Sequence, residues 1–217
     1  GGLSGNADAA DGGGACARVG AQVRLYGGEV SHNWTGGYGG GVCLWNSDGW
    51  LYGTTVRDNT AGYGGGIAIA GCDAGEAAYD SGGTFSTLHM SGGTVAYNTA
   101  EVHNGLQVSG VGGGICAGTA GGIGVYAGKT TQVRMSGEAA ITGNTALENG
   151  NGAYFTNNIN VDVSGDPDRV LLAMEGGARI DSDNPVYFDG LRSTTVKQLP
   201  VQVTGTLTCD GAAAIFE

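Results

Sequence analysis

The chain has 217 residues, 46 of them glycine and 3 proline, and only 13% are charged. Such a glycine share excludes an all-helical fold, since each glycine within a helix costs about 1 kcal/mol relative to alanine, and the shortage of proline excludes collagen and a proline-rich linker. Its 9 lysines and arginines against 20 aspartates and glutamates leave a net charge of −11 with the basic residues scattered, which excludes nucleic acid and an anionic membrane surface as partners.

What remains is an all-β chain with a turn every few residues, in which no apolar run approaches the roughly 20 residues of a membrane span. Residues 1–6, with Leu3 and Asn6, read as the tail of a repeat unit, so either further units precede it or the chain is cut there, and any export signal or anchor is expected outside this stretch. A glycine triplet at 12–14 opens the first whole unit, with strands expected over 15–18 and 23–26 and a Val30/Asn33 pair at its end. The second unit has its triplet at 39–41, strands over 42–45 and 50–52, and Val56/Asn59. The third has its triplet at 64–66, a strand over 67–70, an insertion over 71–87, a strand over 88–91 and Val95/Asn98. An insertion over 101–111 precedes the fourth triplet at 112–114. Strands follow over 115–117 and 133–136, separated by an insertion over 118–132, and Ile141/Asn144 closes the unit. After a last insertion over 147–152, a degenerate copy runs over 174–180 and ends near Asn184, and residues 185–217 read as an atypical capping rung that closes the open edge.

Three short strands per unit bury nothing alone. Stacked in parallel about 4.8 Å apart, like residues form ladders around one continuous core. This is a parallel β-helix, a single solenoid domain over 1–217, with repeat rungs over 1–184 and the cap over 185–217, roughly eight rungs in all. Period-two alternation sends Leu25, Leu51, Met90, Met135 and Met174 inward in one ladder. It sends Val30, Val56, Val95, Ile141 and Ile180 inward in a second, and Ala15, Val42, Ile67 and Ile115 in a third. The glycine triplets turn one corner. The asparagines turn another, where Asn tolerates the left-handed conformation and its amide bonds along the stack.

The stretches Met90-Ser91-Gly92-Gly93-Thr94-Val95-Ala96-Tyr97-Asn98-Thr99-Ala100 and Ile141-Thr142-Gly143-Asn144-Thr145-Ala146 carry a pattern that resembles the β-helix repeats of large surface proteins of gut bacteria, relatives of the GGAI/FxxN repeats of chlamydial polymorphic outer-membrane proteins. Asn184-Pro185-Val186-Tyr187-Phe188, followed by Val201-Gln202-Val203-Thr204-Gly205-Thr206-Leu207-Thr208, is similar to the segment that closes such arrays. The resemblance covers nearly the whole chain. It implies a right-handed parallel β-helix, extracellular on a bacterial cell surface, with adhesion or host-factor binding as its role. Long insertions, 5 cysteines and 3 tryptophans depart from the simple repeat.

All the tryptophans, Trp34, Trp45 and Trp50, fall close together in sequence. By register, Tyr26 and Tyr52 stack in one outward ladder, Trp50 lies beside Arg24 in the neighbouring one, Trp45 is outward next to Arg18, and Tyr38 and Tyr63 stack on the triplet corner. Outward rings on a rigid sheet suit sugar stacking or protein contact, so these aromatic residues are the candidate ligand-binding set. The plainer reading is that they are ordinary surface or loop-covered rings of the repeat. The partner class expected is a host glycan, a mucin or a host protein such as an immunoglobulin. Alternatives are a passive stalk and a carbohydrate-active β-helix enzyme or tailspike.

Cys16 and Cys43 share one outward register a rung apart and form the first disulfide candidate; Cys72 with Cys116 is the second, and Cys209 makes the count odd. No metal or cofactor is expected. There is no Cys-x-x-Cys pair, His32, His89 and His103 lack zinc spacing, and Asp73, Glu76 and Asp80 in one insertion fall short of the oxygens calcium needs. The catalytic signatures of polygalacturonases are missing. Asn59-Thr60-Ala61 and Asn144-Thr145-Ala146 carry alanine where the aspartate belongs, and Arg179-Ile180-Asp181 carries aspartate where lysine belongs. Outward Arg24 and Arg134 share a ladder, but no acidic residue in register surrounds them as a lyase requires. The chain is therefore expected to be non-catalytic.

Overall fold

The computed structural model describes residues 2–8, 11–18, 20–45, 47–70, 86–102, 110–118, 131–156, 172–189, 201–203 and 206–207. Among them every regular element is a strand, none is a helix, and the strands pair in parallel.

Four sheets result. The first contains β1 (Gly2–Ser4), β5 (Glu29–Ser31), β9 (Thr55–Arg57), β13 (Thr94–Ala96), β17 (Ala140–Thr142), β21 (Arg179–Ile180) and β24 (Thr206–Leu207), in that spatial order. The second is made of two-residue strands: β2 (Ala7–Asp8), β6 (Trp34–Thr35), β10 (Thr60–Ala61), β14 (Thr99–Ala100) and β18 (Thr145–Ala146). The third contains β3 (Ala15–Arg18), β7 (Val42–Trp45), β11 (Ile67–Ala70), β15 (Ile115–Ala117), β19 (Ala153–Thr156) and β22 (Val186–Asp189). The fourth contains β4 (Gln22–Tyr26), β8 (Asp48–Tyr52), β12 (Thr87–Ser91), β16 (Gln132–Ser136), β20 (Leu172–Met174) and β23 (Val201–Val203). The chain visits the sheets in turn, so a strand's hydrogen-bonded neighbour is its counterpart in the next repeat unit. This arrangement is consistent with a solenoid of stacked repeats.

The expected ladders are present. Leu25, Leu51, Met90, Met135 and Met174 are register partners in succession. Leu3, Val30, Val56, Val95, Ile141 and Ile180 form a second column. A third runs through Ala15, Val42, Ile67, Ile115, Ala153 and Val186. These columns meet in one apolar core, each buried aliphatic side chain contributing about 1.5–3 kcal/mol.

Asn6, Asn33, Asn59, Asn98, Asn144 and Asn184 form a continuous amide ladder. Each Nδ2 donates to the next Oδ1 at 2.8–3.0 Å, and each backbone N–H from Asn6 to Asn144 donates to the same oxygen. The left-handed residue at this corner is not the asparagine, as expected, but the one before it. His32, Asp58 and Tyr97 have φ of 55, 53 and 54°. The amide must point into the stack, so the reversal falls on its neighbour, whose side chain faces solvent or the rim. At the opposite corner Gly39 has φ 68°, and a Cβ on Gly40 would lie 2.3 Å from the carbonyl oxygen of Gly65, so backbone approach between units demands glycine there.

Two features escaped the sequence reading. The two-residue strands after each asparagine make a sheet of their own. Residues 153–156 and 186–189, the latter within the expected cap, continue the third sheet in register.

Candidate functional site

The tryptophans that lie close together in sequence are carried by three different sheets. Trp34 is in β6 of the second sheet, in register with Ala7 and Thr60. Trp45 ends β7 of the third, and Trp50 is in β8 of the fourth. They do not make one patch.

On the third sheet the outward position is roofed. Residues just ahead of the glycine triplets form a bridge column, Asp11, Tyr38, Tyr63 and Val111, alongside the strands. Tyr38 and Tyr63 stack at 4.7 Å between centroids, and Tyr38 meets the Trp45 ring edge-on at 5.2 Å. The guanidinium of Arg18, paired with Asp11 at 2.7 Å, lies 5.6 Å from the Trp45 ring. Trp45 is 7% and Tyr63 3% exposed, and Trp45 Nε1 is buried without a hydrogen-bond partner. Trp45 and Tyr63 are thus outward but not accessible, because a second apolar layer covers them.

This layer also holds the thiols. Cys16 and Cys43 are register partners as expected, but both are free and no bridge joins them. A hydrogen bond from the Cys43 thiol holds Cys16 down to about 6, helped by Arg18, while burial pushes Cys43 up. Cys116 is also free, and burial pushes it up to about 12. Cys72, Cys209 and the acidic trio Asp73, Glu76 and Asp80 lie outside the described residues. Among the described residues no group of three His, Cys, Asp or Glu side chains is placed to hold a metal ion.

The fourth sheet is open. Beside an outward column of Gln22, Asp48, Thr87 and Gln132, in which Thr87 and Gln132 are buried, two further outward columns run side by side. One contains Arg24, Trp50, His89, Arg134 and Ala173; the other contains Tyr26, Tyr52, Ser91 and Ser136, with Glu175 just beyond β20. In the first column the Arg24 guanidinium lies 4.4 Å from the centre of the Trp50 ring, and His89 stacks on Trp50 at 5.2 Å with planes 2° apart. Both faces of Trp50 are therefore occupied, and its edge alone reaches solvent. In the second column Tyr26 and Tyr52 stack at 4.8 Å. Ser91 and Ser136 succeed Tyr52, so among the described residues no ring lies against its second face. Two short side chains in a column of large ones leave a notch. Its volume is about 320 Å³, with Tyr52 as one wall, Ser91 and Ser136 along it, Glu175 beyond them, and His89 and Arg134 along the side. Burial lowers the His89 pKa; Asp48 raises it and Arg134 lowers it further.

Of the sequence candidates, Tyr26, Tyr52 and Trp50 meet on this face. Trp45, Tyr38 and Tyr63 belong to the roofed layer, and Trp34 to neither. Sequence reasoning missed the serines, His89 and Glu175. The signal was available as a break in a column, two serines following two tyrosines at one register.

No family model matches the chain, and neither a curated protein nor a solved structure matches it.

Proposed function

We propose that the chain is a non-catalytic, sugar-binding module of a bacterial cell-surface protein, an adhesive segment that engages a host glycan or a glycosylated host protein such as a mucin or an immunoglobulin. The scaffold in this reading is a right-handed parallel β-helix of roughly eight rungs, of the kind found in surface-protein repeats of gut bacteria. Right-handedness follows the general rule for connections between parallel strands of one sheet.

The observation that carries the reading is the notch beside Tyr52. A pyranose ring needs an aromatic face, neighbouring hydroxyl or amide partners, and room about as thick as one missing side-chain layer. The free face of Tyr52, the Ser91 and Ser136 positions and a 320 Å³ space supply all three. The notch offers one carboxylate, Glu175, whereas acid–base hydrolysis uses two at about 5–10 Å, which favours binding over cleavage. A glycan array probed with the purified chain and with Tyr52→Ala tests the reading. Binding to a subset of glycans that Tyr52→Ala abolishes supports it. An array with no binding above background, or binding unaffected by Tyr52→Ala, overturns it and leaves a passive stalk.

A further inference from the structure

The notch holds one arginine, Arg134, and one carboxylate, Glu175. The described arginines are Arg18, Arg24, Arg57, Arg134 and Arg179. Arg18 is paired with Asp11, Arg57 with Glu29 and Asp58, and Arg179 with Asp181. The other two, Arg24 and Arg134, have no carboxylate partner among the described residues, and they stand in one outward column, Arg24 next to Trp50 and Arg134 next to His89, at either end of the Trp50–His89 stack. Arg24 lies on the Trp50 ring. The guanidinium of Arg134 is held by a neutral group, Gln132 Oε1, which accepts from Nε at 3.3 Å and from Nη2 at 3.1 Å. Two cations among the described residues, left without a carboxylate partner on a chain of net charge −11 and one of them held in place by an amide, present a site for an anion.

Position narrows the anion. A ring stacked on the open face of Tyr52 lies over the Ser91 position. Arg134 is one rung farther along and one column across, about 8 Å away between backbone positions, and it lines the notch while Gln132, on its other side along the strand, holds its guanidinium. His89 stands between them. The carboxylate must therefore be attached to the ring itself or to its first exocyclic carbon. Glu175 lies at the far end of the notch, where it accepts hydrogen bonds from hydroxyls.

We infer that the notch selects a sugar acid, its ring against Tyr52 and its carboxylate on Arg134. This inference rests on the sugar-binding reading proposed above. Titration calorimetry of the chain with two matched pairs, sialyllactose against lactose and a glucuronate-containing disaccharide against its glucose counterpart, tests it. The expected result is that the acid of at least one pair binds about tenfold more tightly than its neutral counterpart, as one charge-assisted contact provides. Arg134→Gln brings acid and neutral sugar within twofold of each other without moving the melting temperature, Arg134→Lys keeps part of the preference, and Tyr52→Ala weakens both members of the pair. Equal binding of acid and neutral sugar, or a preference that survives Arg134→Gln, overturns the inference and leaves the sugar-binding reading standing. Failure of every sugar to bind overturns both.

Discussion

The outer faces of the third and fourth sheets begin from the same alternation and end differently. In both, every second residue points away from the core, and in both those residues include aromatic and basic side chains. On the third sheet the chain ahead of each glycine triplet lays Tyr38, Tyr63 and Val111 beside the outward row, and Trp45, Cys43 and Cys116 disappear under it. On the fourth sheet no such layer lies over the columns that begin at Arg24 and Tyr26 among the described residues, and Tyr26 remains 73% and Tyr52 37% exposed, although Thr87 and Gln132 in the column beside them are buried. Pointing outward and being accessible are separate properties. The first is set by strand period; the second depends on what another segment covers.

If this division is right, the same kind of substitution has opposite consequences on the two faces. Trp45→Ala removes a buried ring from the roofed face and is expected to destabilise the fold by about 3–5 kcal/mol, read as a fall in denaturation midpoint, while sugar binding by the folded fraction is unchanged. Trp45→Phe should cost much less, because it also removes the unpartnered indole N–H. On the open face Tyr52→Ala is expected to reduce sugar binding by about tenfold or more, in line with the 1–3 kcal/mol a stacked aromatic contributes at a contact, with little change in the midpoint. A Trp45 variant that loses binding at full stability, or a Tyr52 variant that unfolds, would break the division.

Thiol chemistry sharpens it further. With Cys16 held down to about 6, its exposed thiolate should be alkylated readily by iodoacetamide at pH 7, while Cys43 and Cys116 react only after unfolding. Peptide mapping by mass spectrometry separates the sites. The smallest effect concerns pH. His89 is lowered from its ordinary value near 6.5 by burial, so the unfolded chain takes up the proton first and stability falls as pH drops through that value. A bound carboxylate favours the protonated ring, so affinity for a sugar acid should rise by a few fold over the same window. Asp48 and Arg134 act on this group with opposite signs, Glu175 stands farther along the notch, and His89→Gln should flatten the profile.

Much of the scaffold was legible before any coordinates. The Val-x-x-Asn pairs predicted both the inward column and the amide ladder, since only a stack of identical units can satisfy a buried asparagine with another asparagine. The site was legible only in part. Register places Tyr26, Tyr52 and Trp50 on one face, but closeness in sequence groups Trp45 with Trp50, five residues away. Cys16 and Cys43 were expected to bridge because they share a register; in the structure both are free, with a hydrogen bond between them. The notch was missed because it consists of what is small, Ser91 and Ser136, in a column otherwise read for its large residues.

The alternation of apolar residues, the glycine triplets and the recurring asparagines determined the parallel stacking and which way each side chain points, because each is a short-range property repeated until it becomes long-range. Which outward rings meet solvent, which cations stay uncompensated and where the surface is notched were decided only in three dimensions. Each depends on residues 25 to 45 positions apart, brought side by side by the pairing of units, and on whether another segment of the chain lies over them.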